Sequence, residues 1–148
     1  MIRERARATR VFFYVDTLEY LRRGGRVSAA KAAVGQALQV KPLLQVVDGR
    51  VEKLEQVRTS AKAMARLIEL AIEEATRFPT VDIAVQHLGA ADRAAALAAS
   101  LRERLPGTVV VEGTVGGVVG AHVGPGMLAV IVAPVLASGM GPVSGAQS

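Results

Sequence analysis

Six consecutive apolar residues, MLAVIV at positions 127–132, form a run of strand length that contains no polar side chain. Successive side chains of a strand point to opposite faces of the sheet, so a strand with one face in water alternates apolar and polar residues. A run that is apolar at every position has to be covered on both faces. Residues 127–132 therefore predict a strand in the middle of a sheet.

The rest of the chain predicts a mixture of strands and helices. Strands are predicted at residues 11–15, 43–47, 51–54, 81–85 and 108–111, and helices through Leu18 and Leu21 and at residues 29–38, 59–77 and 92–105. Asp92 is expected to cap the last helix, and Glu73 is expected to form an exposed ion pair with Arg77. One hairpin, turning at Asp48-Gly49, and one strand-helix-strand unit imply an α/β fold with two layers, in which helices cover a mixed β-sheet.

Length and composition favour one domain with its own core. The chain has 148 residues, of which 51% are hydrophobic, and it has no Cys, which excludes disulfides and thiolate metal sites. The domain is expected at residues 11–134, after a basic arm at residues 1–10 and before a flexible Gly/Ser-rich tail at residues 135–148. No export signal is evident and no apolar run approaches the roughly 20 residues of a membrane-spanning helix, so a cytoplasmic protein without a membrane span is expected.

The net charge of +5 comes from one end of the chain. Residues 1–31 contain eight Arg or Lys against three Asp or Glu, and the remainder is balanced. A basic arm could bind nucleic acid, but three Phe, two Tyr and no Trp offer little for bases to stack on. No nucleic-acid partner is expected, and the arm is interpreted as solvated or as a face for an acidic protein.

The first candidate site is the sequence Gly24-Gly25-Arg26-Val27-Ser28. Two glycines just after a predicted helix permit a tight turn, which would hold Arg26 on a short loop. A guanidinium presents a planar fork of donors that matches a carboxylate or a phosphate. A surface arginine after a helix end is the alternative, and this motif alone favours that alternative.

The second candidate site is residues 120–126, GAHVGPG, which lead into the predicted buried strand. His122 could donate a hydrogen bond to a carboxylate, with Gly124 and Gly126 supporting the loop. The alternative is a histidine that bonds only to a nearby carbonyl. His87, the other histidine, is interpreted as structural.

Signatures of catalysis are otherwise missing from the sequence. There is no GxSxG, no phosphate-binding loop with its Lys, no Cys nucleophile and no pair of residues with metal-ligand spacing. We therefore expect a binding protein rather than an enzyme, with no catalytic residues, no cofactor and no metal.

Taken in order, these segments resemble the C-terminal domain of the DegV family. The matching segments, which cover roughly residues 11–133, are DTLEYL at 16–21, GGRVS at 24–28, KPLL at 41–44, DG at 48–49, VRT at 57–59 and HVGPG at 122–126. Members of this family bind a long-chain fatty acid between two domains, and bacterial members present it to a separate fatty acid kinase. The resemblance implies that Arg26 and His122 lie near the lipid carboxylate, with Gly24, Gly25, Gly124 and Gly126 supporting the two loops.

The resemblance also implies the roles of other residues. Arg58 and Lys31 are expected to help dock the kinase, and Val34, Ala37 and Leu38 of the predicted helix at 29–38 are expected to line part of the acyl tunnel. The N-terminal domain of the family, which supplies hydroxyl ligands to the carboxylate, is missing from this chain. Residues 1–10 would then be the remnant of an interdomain linker, and the face left uncovered favours a homo-oligomer.

Two other functions remain open at this point. The fold of the family resembles the substrate-binding subunit of dihydroxyacetone kinases, so a phosphotransfer role with a small polar pocket is one alternative. A structural oligomerisation domain without a ligand is the other, and it would separate Arg26 from His122. The segments that flank both residues are rich in Val, Leu and Ala, which favours a fatty acid.

Overall fold

The computed structural model describes residues 8–15, 41–47, 49–116 and 124–135. Within these ranges there are six strands and two helices. The elements are β1 (Arg10–Tyr14), β2 (Lys41–Val47), β3 (Arg50–Val57), α1 (Ser60–Ala75), β4 (Val81–His87), α2 (Ala91–Arg104), β5 (Val109–Thr114) and β6 (Leu128–Pro134). The predicted helices through Leu18 and at residues 29–38 lie outside the described residues.

All six strands form one mixed sheet in the order β3-β2-β1-β6-β4-β5. β4 and β5 are parallel and joined by α2, whereas the other neighbours are antiparallel. The predicted α/β fold with a mixed sheet is therefore confirmed. The apolar run at 127–132 forms most of β6, which lies between β1 and β4 as its composition predicts.

Both helices pack on one face of the sheet, and the main core lies between them and the strands. α1 contacts β1, β2, β3 and β6, and α2 contacts β4 and β5. Tyr14, Leu67, Leu97 and Val130 are fully buried in this core. A leucine-sized side chain contributes about 1.5–3 kcal/mol when fully buried, so this layer supplies much of the stability.

A second apolar cluster lies on the opposite face of the sheet. Phe13 pairs with Leu44 on one side and Ala129 on the other, and all three are buried. They belong to one cluster with Val15 and Met127, on the face away from α1 and α2. Side chains on both faces of the central strands are therefore buried, which agrees with the prediction for β6.

α1 begins and ends close to the predicted boundaries. The Thr59 side chain caps it by accepting a hydrogen bond from the Lys62 N–H at 3.0 Å. The predicted ion pair of Glu73 with Arg77 is wrong. Arg77 instead lies 3.5 Å from the carboxylate of Glu74, which is only 7% exposed and also lies 3.7 Å from Arg10 of β1.

The outer face of α1 is linked to the edge strand β3 through Arg66. Its guanidinium donates hydrogen bonds to Glu55 of β3 at 2.7 Å and to Glu69 at 2.5 Å. These two carboxylates, Glu55 above all, raise the pKa of Arg66 above its usual value. The ion pair of Arg66 with Glu55 therefore connects α1 to the edge strand of the sheet.

The predicted cap of α2 is also wrong. Asp92 lies in the first turn, and Ala90 occupies the N-cap position without any side-chain cap of its own. The backbone N–H of Ala90 donates instead to Nδ1 of His87 at 3.1 Å. Asp92 still has a favourable position, because a carboxylate in the first turn interacts with the positive end of the helix dipole.

Candidate functional site

The segments that contain the predicted ligand residues are connected to one end of the sheet. Tyr14 at the end of β1 pairs with Leu128 at the start of β6, and Leu128 pairs with His87 at the end of β4. At the same end, β5 finishes beside β4, β2 begins beside β1, and β3 finishes beside β2. We call this the loop end of the sheet.

Both predicted ligand segments are attached at the loop end. Residues 16–40, which contain Arg26, leave the sheet after β1 and return to it at β2. Residues 117–123, which contain His122, leave after β5 and return at β6. Arg26 and His122 themselves lie outside the described residues, as do Gly24, Gly25, Lys31, Val34, Ala37 and Leu38.

The turn before β6 is built from the two predicted supporting glycines. Gly124 and Gly126 have φ of 82° and 92°, a left-handed backbone conformation that side chains disfavour, and both residues are buried. The Gly126 N–H donates to the Leu88 carbonyl at 2.7 Å, and the Leu88 N–H donates to the Met127 carbonyl at 3.1 Å. The turn is therefore fastened to the end of β4.

The electrostatics of the loop end favour negative charge. α1 follows β3 and α2 follows β4, so both helices begin at this end and direct the positive ends of their dipoles towards it. Arg58, the predicted kinase-docking residue, is exposed just before the first turn of α1. An open depression of about 360 Å³ lies over the start of α2, lined by residues 89–93.

Arg93 and Tyr14 form a contact that the sequence did not suggest. The Arg93 guanidinium donates a hydrogen bond to the Tyr14 hydroxyl at 2.5 Å and lies 5.9 Å from the centre of its ring. The contact ties the first turn of α2 to the end of β1. A tyrosine within the apolar run at residues 11–15 is the signal that could have pointed to it, because a buried hydroxyl usually finds a partner.

The described ranges contain neither a cluster of metal ligands nor a membrane-spanning helix. Among residues 8–15, 41–47, 49–116 and 124–135, no group of three or more His, Asp or Glu side chains is placed to hold a metal ion. Neither α1 nor α2 is long and apolar enough to cross a membrane.

A mixed six-stranded sheet with two helices on one face defines the chain as an α/β protein. The family model described as an uncharacterised protein of the DegV family matches residues 1–135. The chain therefore belongs to the DegV family.

Relatives and solved structures agree with this membership. A DegV domain-containing protein of Streptomyces coelicolor is 58% identical over 130 residues, which is 87% of this chain and 46% of the relative. The fatty acid binding DegV family protein of Streptococcus agalactiae has a TM-score of 0.84 at 32% identity, covering 91% of this chain and 48% of that one. DegV of Bacillus subtilis, a fatty acid binding protein, has a TM-score of 0.77 at 33% identity, covering 90% and 48%. The chain thus spans about half the length of the proteins that it matches.

Proposed function

We propose that this chain is the lipid-binding half of a DegV fatty-acid-binding protein and that it binds the carboxylate of a long-chain fatty acid through Arg26 and His122. The similar proteins of S. agalactiae and B. subtilis are described as fatty acid binding, and each superposes on about nine-tenths of this chain. Sequence identity above 30% over that length supports carrying the ligand class over to this chain.

The observation that carries the proposal is the shared attachment of two segments. Residues 16–40 and 117–123 both leave the sheet at the loop end, next to Val15 and Met127 of the second apolar cluster. An anionic headgroup at this end would meet the positive ends of two helices, while an apolar tail would find the apolar face behind it. A fatty acid requires that combination.

The acyl chain is expected on the face away from α1 and α2. The core on the helix side is closed by fully buried side chains such as Leu67 and Leu97, so a tail entering there would have to displace them. The opposite face has no described helix packed on it. We propose that Val34, Ala37 and Leu38 line part of the tunnel on that face.

The partners of the complete protein follow from the same proposal. The missing half of the protein would supply further ligands to the carboxylate, and a separate fatty acid kinase would phosphorylate the bound lipid in the cytoplasm, with Arg58 and Lys31 in its docking surface. The chain would then act as a carrier and not as a catalyst. Arg58 is exposed beside the loop end, which would leave it accessible to such a partner.

The alternatives receive less support. A dihydroxyacetone site would be small and polar, whereas the side chains that cluster at the loop end are Val15, Leu88, Val115 and Met127. An oligomerisation domain without a ligand does not account for the likeness to fatty acid binding proteins.

Titration calorimetry tests the proposal by comparing the 148-residue chain with the same chain joined to the missing domain. A tail of about 17 carbons contributes up to about 13 kcal/mol gross at roughly 0.8 kcal/mol per methylene, whereas each charge-assisted hydrogen bond contributes about 1.5–3 kcal/mol. Because the tail dominates and one wall of the tunnel is missing, little heat is expected from this chain and strong binding from the joined protein.

Two variants of the joined protein serve as controls for the headgroup. Arg26→Ala and His122→Ala should lower the affinity for a fatty acid but leave the affinity for the matching fatty alcohol nearly unchanged. Submicromolar binding of a fatty acid by the monomeric 148-residue chain would contradict the two-domain proposal, and a joined protein that binds no fatty acid would contradict the function itself.

A further inference from the structure

The two ends of the glycine-rich connection between β5 and β6 are hydrogen-bonded to two adjacent residues, one end to His87 and the other to Leu88. On its N-terminal side, the Val115 N–H donates to the His87 carbonyl at 3.0 Å. On its C-terminal side, the backbone of Leu88 accepts from the Gly126 N–H and donates to the Met127 carbonyl. The backbone of the dipeptide His87-Leu88 therefore binds both described ends of the connection, at Val115 and at Gly126-Met127.

The imidazole of His87 fixes the conformation of that dipeptide. β4 ends at His87, and within three residues the chain turns through Gly89, with φ of 66°, into the N-cap of α2. The Ala90 N–H closes this turn by donating to Nδ1 of His87 at 3.1 Å. Leu88 lies inside the closed ring, so the side chain of His87 orients the backbone groups that bind Gly126 and Met127.

We infer that His87 is a positioning residue. Its Nδ1 accepts the Ala90 N–H while Nε2 carries the ring proton, and this hydrogen bond holds the first turn of α2 and the two described ends of the β5–β6 connection in a fixed arrangement. A backbone N–H can only donate, so Nδ1 has to be unprotonated for the turn to close. Any effect of His87 on binding of the lipid headgroup rests on the proposed function, in which His122 of the same connection binds the carboxylate. The coupling itself does not require a lipid.

Two variants test whether the turn needs a hydrogen-bond acceptor at the position of Nδ1 or only a polar side chain. The Oδ1 atom of asparagine lies at the same number of bonds from Cβ as Nδ1, whereas the Oε1 atom of glutamine reaches the position of Nε2. His87→Asn should therefore preserve the closed turn, and His87→Gln should open it. Both replacements are polar and of similar size, which makes them a matched pair.

Amide hydrogen exchange and imidazole nitrogen spectra of the 148-residue chain test the coupling. In the natural chain at neutral pH, Nδ1 should be unprotonated. His87→Gln should speed exchange at Ala90 and also at Gly126 by about threefold to tenfold, the loss expected for one net hydrogen bond, while the amides of the β2–β3 hairpin stay unchanged. His87→Asn should exchange like the natural chain.

Each other outcome decides the inference. A protonated Nδ1 in the natural chain would overturn it. Faster exchange at Ala90 alone would also overturn it, because His87 would then be a local cap without influence on the connection. If His87→Gln unfolds, the inference stands when His87→Asn remains folded with Ala90 protected, and it fails when both variants unfold.

A lipid measurement separates this inference from the proposed function. In the protein joined to its missing domain, His87→Gln should lower the affinity for a long-chain fatty acid by about threefold to tenfold. The affinity for the matching fatty alcohol should stay unchanged. His87→Asn should bind both ligands like the natural protein. Equal loss for acid and alcohol would mean that His87 has only a structural role. Absence of binding by the natural joined protein would refute the proposed function, and the exchange results would still decide the coupling.

Discussion

Replacing Val130 with alanine tests whether β6 runs through the middle of the sheet. Val130 is fully buried and pairs with Phe12 of β1 on one side and Val85 of β4 on the other. Val111→Ala is the matched control, because it removes the same two methyl groups from the edge strand β5, where Val111 is 54% exposed. The two variants differ in burial and not in chemistry.

The burial of each side chain sets the expected loss of stability. At Val130, two methyl groups at roughly 0.8 kcal/mol each, plus about 1 kcal/mol for the cavity left behind, give a loss of about 2–3 kcal/mol. At Val111, about half of the side chain already contacts water and no cavity forms, so the loss is less than about 1 kcal/mol, including the lower strand preference of alanine.

Urea unfolding followed by circular dichroism measures both changes in the free energy of unfolding. In thermal unfolding, the melting temperature of Val130→Ala should fall by about 5–10 °C, since each kcal/mol of lost stability corresponds to roughly 2–4 °C in a domain of this size. Equal losses for the two variants, within about 0.5 kcal/mol, would refute the central position of β6 and with it the arrangement of the loop end.

Three further predictions concern the turn, the surface and the uncovered face. Gly126→Ala should cost about 1–2 kcal/mol in urea unfolding, because alanine disfavours a φ of 92°, and an unchanged midpoint would contradict that conformation. Arg66→Ala should lower the free energy of unfolding by no more than about 1 kcal/mol, and this loss should shrink as salt is added. A larger loss that does not depend on salt would mean that packing rather than charge holds α1 against β3. The 148-residue chain, which spans about half the length of the relatives that it matches, should self-associate in light scattering. Val109→Lys should weaken this association if exposed Val109 and Val111 lie in the contact, and a monomer at all concentrations would contradict the prediction.

Much of the fold could be predicted because burial leaves a direct trace in the sequence. The run at 127–132, the stripe of α1 and the alternation of β4 each gave the correct element. β3 is longer than predicted, extending over Arg50–Val57 instead of residues 51–54. Its second half contains charged and polar residues such as Glu55, since an edge strand is bordered by water and needs no apolar pattern.

Other features depend on partners that are distant or unusual, so the sequence did not reveal them. Leu43 and Leu44 are both fully buried although they point to opposite faces, and the register of β2 with β3 shifts between them. The sequence predicts the start of α2 at Asp92, because aspartate is a preferred cap, but in the structure the histidine that ends β4 accepts the N–H of Ala90. Histidine is not one of the usual capping residues, so no sequence pattern predicts this hydrogen bond.

The order of the strands is what the sequence could not supply, and it decides whether the proposed site can exist. β6 is the last of the described strands along the chain, yet it lies directly beside β1, about 4.8 Å away at the usual strand spacing. Had β6 been added beyond β5, the nearest attachment of residues 117–123 would be the end of β5, which would lie two strand spacings, or about 10 Å, from the attachment of residues 16–40 at β1. Hydrogen bonds of roughly 3 Å to one carboxylate would then require both segments to bridge that gap. Insertion of β6 between β1 and β4 makes a shared headgroup site for Arg26 and His122 geometrically accessible, while the same insertion places Gly126 within reach of Leu88.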